Sequence, residues 1–176
     1  MPALDQDSRA SAATVPPGRG ALARSAIVSW VLRIATAAAL GIDAVVHWQN
    51  ASAYDAVTGT VSQGELFRAE AALAVVVGLG VLVRPRPSSW LAALLVAASA
   101  LGAVLLYRYV AVGSLGPFPD MYENTWQVPG KLLSAYAEAA AVVLATLGLL
   151  THPTRPGWNR RFQWAATGRK RMKCPP

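Results

Sequence analysis

Four long apolar stretches, separated by shorter polar ones, organise this chain. They cover residues 26–48, 66–83, 90–112 and 131–150. A helix needs ~20 mostly apolar residues to cross the ~30 Å of hydrocarbon in a bilayer. The second stretch is the shortest, at the low end of that range. A buried helix of a soluble domain could resemble any one of them. Four in succession leave too little polar chain to give them a water-facing surface. In lipid, backbone polar groups must be satisfied within a helix or a closed barrel. These runs are too long and too continuously apolar for barrel strands. The pattern therefore predicts an all-α fold, a four-transmembrane-helix bundle over residues 26–150.

The flanks read differently. Residues 1–25 are rich in Ala, Ser, Pro, Gly and Arg with no apolar period, and are expected to be a disordered tail. The apolar run after it could be a secretory signal, with small residues at Ala37, Ala38 and Ala39. Arg33 interrupts the run and its apolar part continues to Val46, so a retained helix is expected. Residues 151–176 form a basic tail.

Composition agrees with a membrane protein. Apolar residues make up 54% and charged residues 14%, against about 25% charged in a typical soluble domain. Arginine far outnumbers lysine and alanine is abundant, the bias of a GC-rich bacterial gene. The net charge of +7 could serve nucleic acid or an anionic membrane face. Position decides between them. Arg9, Arg19 and Arg24 precede the first stretch, Arg84 and Arg86 lie between the second and third, and Arg155, Arg160, Arg161, Arg169, Lys170, Arg171 and Lys173 follow the fourth. Segments 49–65 and 113–130 contain no Lys or Arg. That bias places both termini in the cytoplasm and the chain in the plasma membrane as a multi-pass protein. Nucleic acid is not an expected partner. The bilayer is, and Trp158, Phe162 and Trp164 among the basic residues of the tail suit anionic lipids. A protein partner and a homo-oligomer both fit a bundle this small.

Several chemistries fall away. One cysteine, Cys174, makes neither an internal disulfide nor an iron–sulfur site. His47 and His152 fall at opposite faces of the membrane, so they cannot share a haem. No nucleophile–base pair, phosphate-binding glycine loop or zinc motif is present. No cofactor and no catalytic residue is expected, and a non-enzymatic or accessory bundle is the first reading.

The informative residues are ionisable ones inside the apolar stretches, where a central charge costs ~2.5–3.5 kcal/mol on insertion scales. Asp43, His47, Arg68, Glu70, Arg108 and Glu138 all fall toward the outer ends. Asp43 and His47 are four apart and share a helix face. Lys131, Ser134, Glu138, Ala141 and Ala145 form one small and polar stripe expected to face the bundle. Arg68 and Glu70 point to different sides, and Arg68 is one turn from Glu65. Two readings of this set stand side by side. In one, Asp43, Glu70 and Glu138 are neutralised by Arg68, Arg108 and Lys131 and hold the helix ends together. In the other they line an outward-open pocket for a small ligand, a quinone head group or a proton. A metal site from Asp43, His47, Glu70 and Glu138 has suitable ligand types, but two nearby arginines would oppose a cation, so none is expected. Arg33 is read as an interfacial arginine. The segment 112–130, with three prolines and Phe118, Tyr122 and Trp126, is expected to be an ordered flap, as an interfacial anchor or as a lid.

Small residues at spacing four offer close helix packing: Ala37 with Gly41, Ala98 with Gly102, and Ala137 with Ala141 and Ala145. Gly78 and Gly80 suggest packing in the second stretch. The run Y-R-Y-V-A-V-G-S-L-G-P-F-P-D-M-Y-E-N-T-W ending at Trp126, K-L-L-S-A-Y-A-E-A at 131–139 and A-L-G-I-D-A-V-V-H at 39–47 resemble small uncharacterised integral membrane proteins of actinobacteria. In helix number and architecture the chain is also similar to DoxX-like membrane proteins. That likeness implies a link to quinone-linked or thiol-stress redox systems, and it brings no catalytic residue with it.

Overall fold

A computed structural model describes the backbone of residues 19–151 and the side chains of residues 26–151. Helix α1 spans Arg19–Ala51 and passes into a single 3-10 turn at Ser52–Tyr54. Helices α2 (Gln63–Val83), α3 (Pro87–Tyr109) and α4 (Lys131–Thr151) follow. Among the described residues there is no strand, and all four helices are long and apolar enough to cross a membrane. Helices α2 and α4 have 21 residues each, which at 1.5 Å per residue gives about 32 Å, one bilayer core. The chain is a multi-pass, all-α bundle.

The helix ends differ from the expected ones for local reasons. Helix α1 begins at Arg19 rather than at 26, so the last residues of the expected tail have helical backbone. Residues 1–18 and the basic tail from 152 onward lie outside the described residues. Helix α2 starts at Gln63, not 66, because Ser62 and Glu65 close a capping box. The Ser62 Oγ accepts from the Glu65 amide at 3.1 Å, and the Ser62 amide donates to Glu65 Oε2 at 2.8 Å. Helix α3 starts at Pro87, whose fixed φ suits a first helical position. It stops at Tyr109, since Val110 is already extended.

The four helices form a ring in which α1 touches α2 and α4, α3 touches α4, and α2 and α3 touch least. Each helix runs antiparallel to the next, as the Gly78–Ala37 and Trp90–Gly148 contacts across neighbouring helices show. The packing is inverted relative to a soluble core. Large residues such as Val76, Val83, Leu95 and Leu150 point outward, while Ala74, Ala93, Ala97, Ala141 and Ala145 lie inside. Small residues let helix backbones approach, which is what holds bundles together where lipid is as apolar as leucine. The alanine row of α4 faces inward as expected. The Ala98–Gly102 row of α3 does not: both residues are exposed, and α3 buries Trp90, Ala93, Ala97 and Ala100 instead. Gly78 does pack, against Ala37 and Leu40, whereas Gly80 faces open space. The ring of Trp90 covers Gly148, where any Cβ would collide with it.

The end of the bundle that carries Arg84 and Arg86 in the α2–α3 turn also holds Arg33 of α1. The Arg33 Nε donates to the Val81 carbonyl at 3.2 Å, one of the last carbonyls of α2 that no helical N–H can reach, and its guanidinium lies 3.9 Å from the Trp30 ring centroid. The other end carries the two longer loops, and they are tied to each other. Thr60 and Val61 donate their amides to the Pro117 carbonyl, and Glu123 donates its amide to the Tyr107 carbonyl. Gly59 lies so close to Pro117 and Pro119 that a side chain there would meet backbone. The segment 110–130 is an ordered flap folded across this end.

Candidate functional site

Beneath the flap, α1 and α4 bring their polar stripes together. Asp43 and His47 lie one turn apart on α1 and are 1% and 8% exposed; Ser134 and Glu138 lie one turn apart on α4 and are 3% and 0% exposed. His47 Nδ1 sits 2.9 Å from Asp43 Oδ1 and 3.1 Å from the Asp43 carbonyl. The other face of the contact is Ser134. Its Oγ is 2.6 Å from Asp43 Oδ1 and 2.9 Å from Glu138 Oε1. A hydroxyl has one hydrogen to donate. It serves one of these oxygens, and the second contact requires a carboxyl proton pointing back at Oγ, or a cation between the carboxylates. Asp43 Oδ2 and Glu138 Oε2 are buried with no hydrogen-bond partner among the described residues. The imidazole meets the Phe67 ring edge-on at 5.1 Å, which fixes its plane.

A cavity of about 470 Å3 opens above this cluster, within the range of small-molecule sites. His47 and Ser134 form its floor and Glu70 one wall, with Glu70 Oε1 also unpartnered. The flap supplies a roof through Phe118, Met121 and Glu123. Between α2 and α3 the lining residues Ala69, Leu73, Ser99 and Ala103 are themselves exposed on the outside of the bundle. The cavity therefore opens sideways, where these two helices splay, onto the apolar flank of the protein.

Of the six expected site residues, four meet here: Asp43, His47 and Glu138 in the cluster and Glu70 in the cavity wall. Arg68 and Arg108 lie apart. Arg68 faces out and grips Asp55 with two 2.8 Å hydrogen bonds, Nη1 to Oδ1 and Nη2 to Oδ2. Its expected neighbour Glu65 is taken up by the capping box. Arg108 lies over the rings of Tyr109 and Trp126, at 5.1 and 5.6 Å, and is not part of the cavity lining. Lys131 turns to Glu123, 3.2 Å from Oε2. The expected neutralisation of the three helix carboxylates by these three cations is thus not formed. The cations pair with loop acids or aromatic rings instead. The arginine guanidinium holds the exposed Asp55 carboxyl below the usual carboxylate range. Glu123 also accepts from the Tyr54 hydroxyl at 2.9 and 3.0 Å, which ties the flap to the end of α1. No protein-family model, curated protein or solved structure matches this chain.

Ser134 is the residue whose role spacing alone missed. It was visible four positions before Glu138, but only its position opposite Asp43 makes it the bridge between two carboxylates. Chemically, the arrangement can hold the polar head of an amphipathic molecule, pass a proton between carboxyls and imidazole, or ligate a cation.

Proposed function

We propose that this protein binds a lipid-soluble small molecule with an apolar body and a polar, hydrogen-bonding head, of the quinone class. One observation carries the reading: a cavity of ligand size has polar groups at its floor and a sideways mouth on the apolar flank between α2 and α3. A water-soluble ligand needs no such mouth. A ligand dissolved in the bilayer enters through it, directs its head to His47, Ser134 and Glu70, and leaves its tail between α2 and α3. This reading agrees with the redox association implied by the DoxX-like resemblance. With it go a plasma-membrane location with both termini cytoplasmic, which labelling of Cys174 from each side of intact cells tests, and a basic tail resting on anionic lipid.

Binding of a short-chain quinone to the purified protein in lipid nanodiscs tests the function. Leu73→Trp and Ala103→Trp fill the mouth and are expected to weaken binding at least ten-fold. Leu147→Trp, on the exposed face of α4, leaves it unchanged. Equal affinity in all three variants, or no quinone binding by the wild type, overturns the reading.

A second reading is favoured by the tied loops: a structural accessory bundle, in which the cluster serves only to hold the helix ends. It predicts that Glu138→Gln lowers membrane yield. The ligand reading predicts normal yield and weakened binding for Glu70→Gln, whose side chain lines the cavity.

A further inference from the structure

The geometry points to a site for one divalent transition-metal ion, ligated by Asp43, His47 and Glu138 just beneath the part of the cavity that His47 and Ser134 line. Each residue offers a ligand atom, and these atoms all lie within 4.8 Å of one another. Nitrogen and oxygen ligands stand ~2.0–2.2 Å from a metal such as zinc, hence roughly 3.4 Å apart around a tetrahedral ion. Small side-chain rotations close the difference. Two helices supply the set, α1 with a one-turn Asp–His pair and α4 with the glutamate, so the ligands are held by the fold and not by a loop.

Two further observations support this cluster, although Glu70 Oε1 and Arg108 Nε are also buried without a partner among the described residues. Asp43 Oδ2 and Glu138 Oε2 are buried and unpartnered, in residues 1% and 0% exposed. Buried polar atoms in native structures have partners, and a missing ion is one reason for an orphan. The charges also match. Two carboxylates and a neutral imidazole balance a dication, giving a neutral assembly where net charge is costly. The expected objection, two adjacent arginines, is removed by the structure: Arg68 is bound to Asp55 and Arg108 lies over Tyr109 and Trp126. Lys131 is held by Glu123.

Ligand type narrows the ion. One imidazole with two carboxylates and no sulfur suits Zn2+, Mn2+ or Fe2+ better than Cu+, and the nitrogen disfavours Mg2+ and Ca2+. Ser134, in contact with both carboxylates, orients them as an outer partner. Three protein ligands leave a coordination position free, and His47 and Ser134 face the cavity, so that position opens toward whatever occupies it. The site does not depend on the quinone reading.

The test uses the full chain in detergent, stripped with a chelator and then equilibrated with Zn2+ or with Co2+ as a visible-spectrum probe. Wild type is expected to retain about one ion per chain after gel filtration, and Co2+ to show absorption bands that Zn2+ displaces. Asp43→Asn and Glu138→Gln weaken Co2+ binding at least ten-fold, while Glu70→Gln and Glu123→Gln do not. Helical circular dichroism checks each variant. If a cluster variant does not fold, a rise in wild-type melting temperature with Zn2+ that Mg2+ does not produce carries the test. Absence of bound ion and of bands in wild type overturns the proposal, as does Glu138→Gln binding like wild type. Quinone binding without metal binding overturns this proposal and leaves the pocket standing. Metal binding without quinone binding does the reverse.

Discussion

Replacing Ser134 by alanine removes one oxygen and should have an effect out of proportion to its size. Among the described residues Ser134 Oγ is the hydroxyl partner of Glu138 Oε1, and Glu138 Oε2 has no hydrogen-bond partner. After the change Glu138, which has no exposed surface, loses its hydroxyl partner and is left with the neighbouring Asp43 carboxyl. Asp43 Oδ1 fares better, because His47 Nδ1 remains 2.9 Å away. Leaving one buried polar group without its partner costs ~1–3 kcal/mol. Hydrogen bonds between membrane helices average only ~0.6 kcal/mol and reach ~1.7, since the separated helices also find partners. A loss of about 1–2 kcal/mol follows, near the upper end because the hydroxyl is in contact with both carboxyls. The ratio of folded to unfolded protein would fall roughly 5- to 30-fold. Reversible unfolding in mixed detergent with a chelator present measures this without any contribution from a bound ion. Glu138→Met completes a double-mutant cycle, since it removes the carboxyl at similar length. Once Glu138 is gone, Ser134→Ala should cost less by about 0.6–1.7 kcal/mol. A Ser134→Ala variant within about 0.3 kcal/mol of wild type, or strictly additive costs in the cycle, would refute the bridge as a stabilising element.

Two further predictions concern the loop end. Gly64→Ala places a methyl group against the Ala51 backbone carbonyl and the Asp55 carboxylate, so it should destabilise by about 1–3 kcal/mol. Gly80→Ala meets open space and should be neutral or gain up to ~1 kcal/mol from helix propensity; equal melting temperatures for the two variants would refute this account of the α1–α2 contact. Acidification should release the Arg68–Asp55 tie. Asp55 is lowered below its ordinary 3.8 by the hydrogen bonds and charge of Arg68, so its contribution is complete above that value and is lost as pH falls through the depressed one. Asp55→Asn should flatten this part of the acid profile; an unchanged acid limb in that variant shows the pair to be without weight.

What could be read from the linear chain was whatever depends on local period and length. Four apolar runs of spanning length imply four helices, because in lipid the backbone must satisfy itself within each segment. A 3.6-residue repeat puts Asp43 with His47 and Ser134 with Glu138 on common faces wherever the helices go, and both pairs are indeed turned inward. The same period cannot say which way a helix is rotated when all its faces are apolar. For that reason the Ala98–Gly102 row of α3 looked like a packing seam and faces outward. Partners of the cations were equally hidden. Asp55 and Glu123 lie in connections whose path is set by tertiary contacts, above all by the flap hydrogen-bonding to the α1–α2 loop through Pro117. Once those loop acids take Arg68 and Lys131, and Arg108 lies over Tyr109 and Trp126, the helix carboxylates are left with an imidazole, a hydroxyl and unused acceptor oxygens. The sideways mouth is likewise a property of the assembly: it exists because α2 and α3 diverge, a distance that no spacing within either helix encodes.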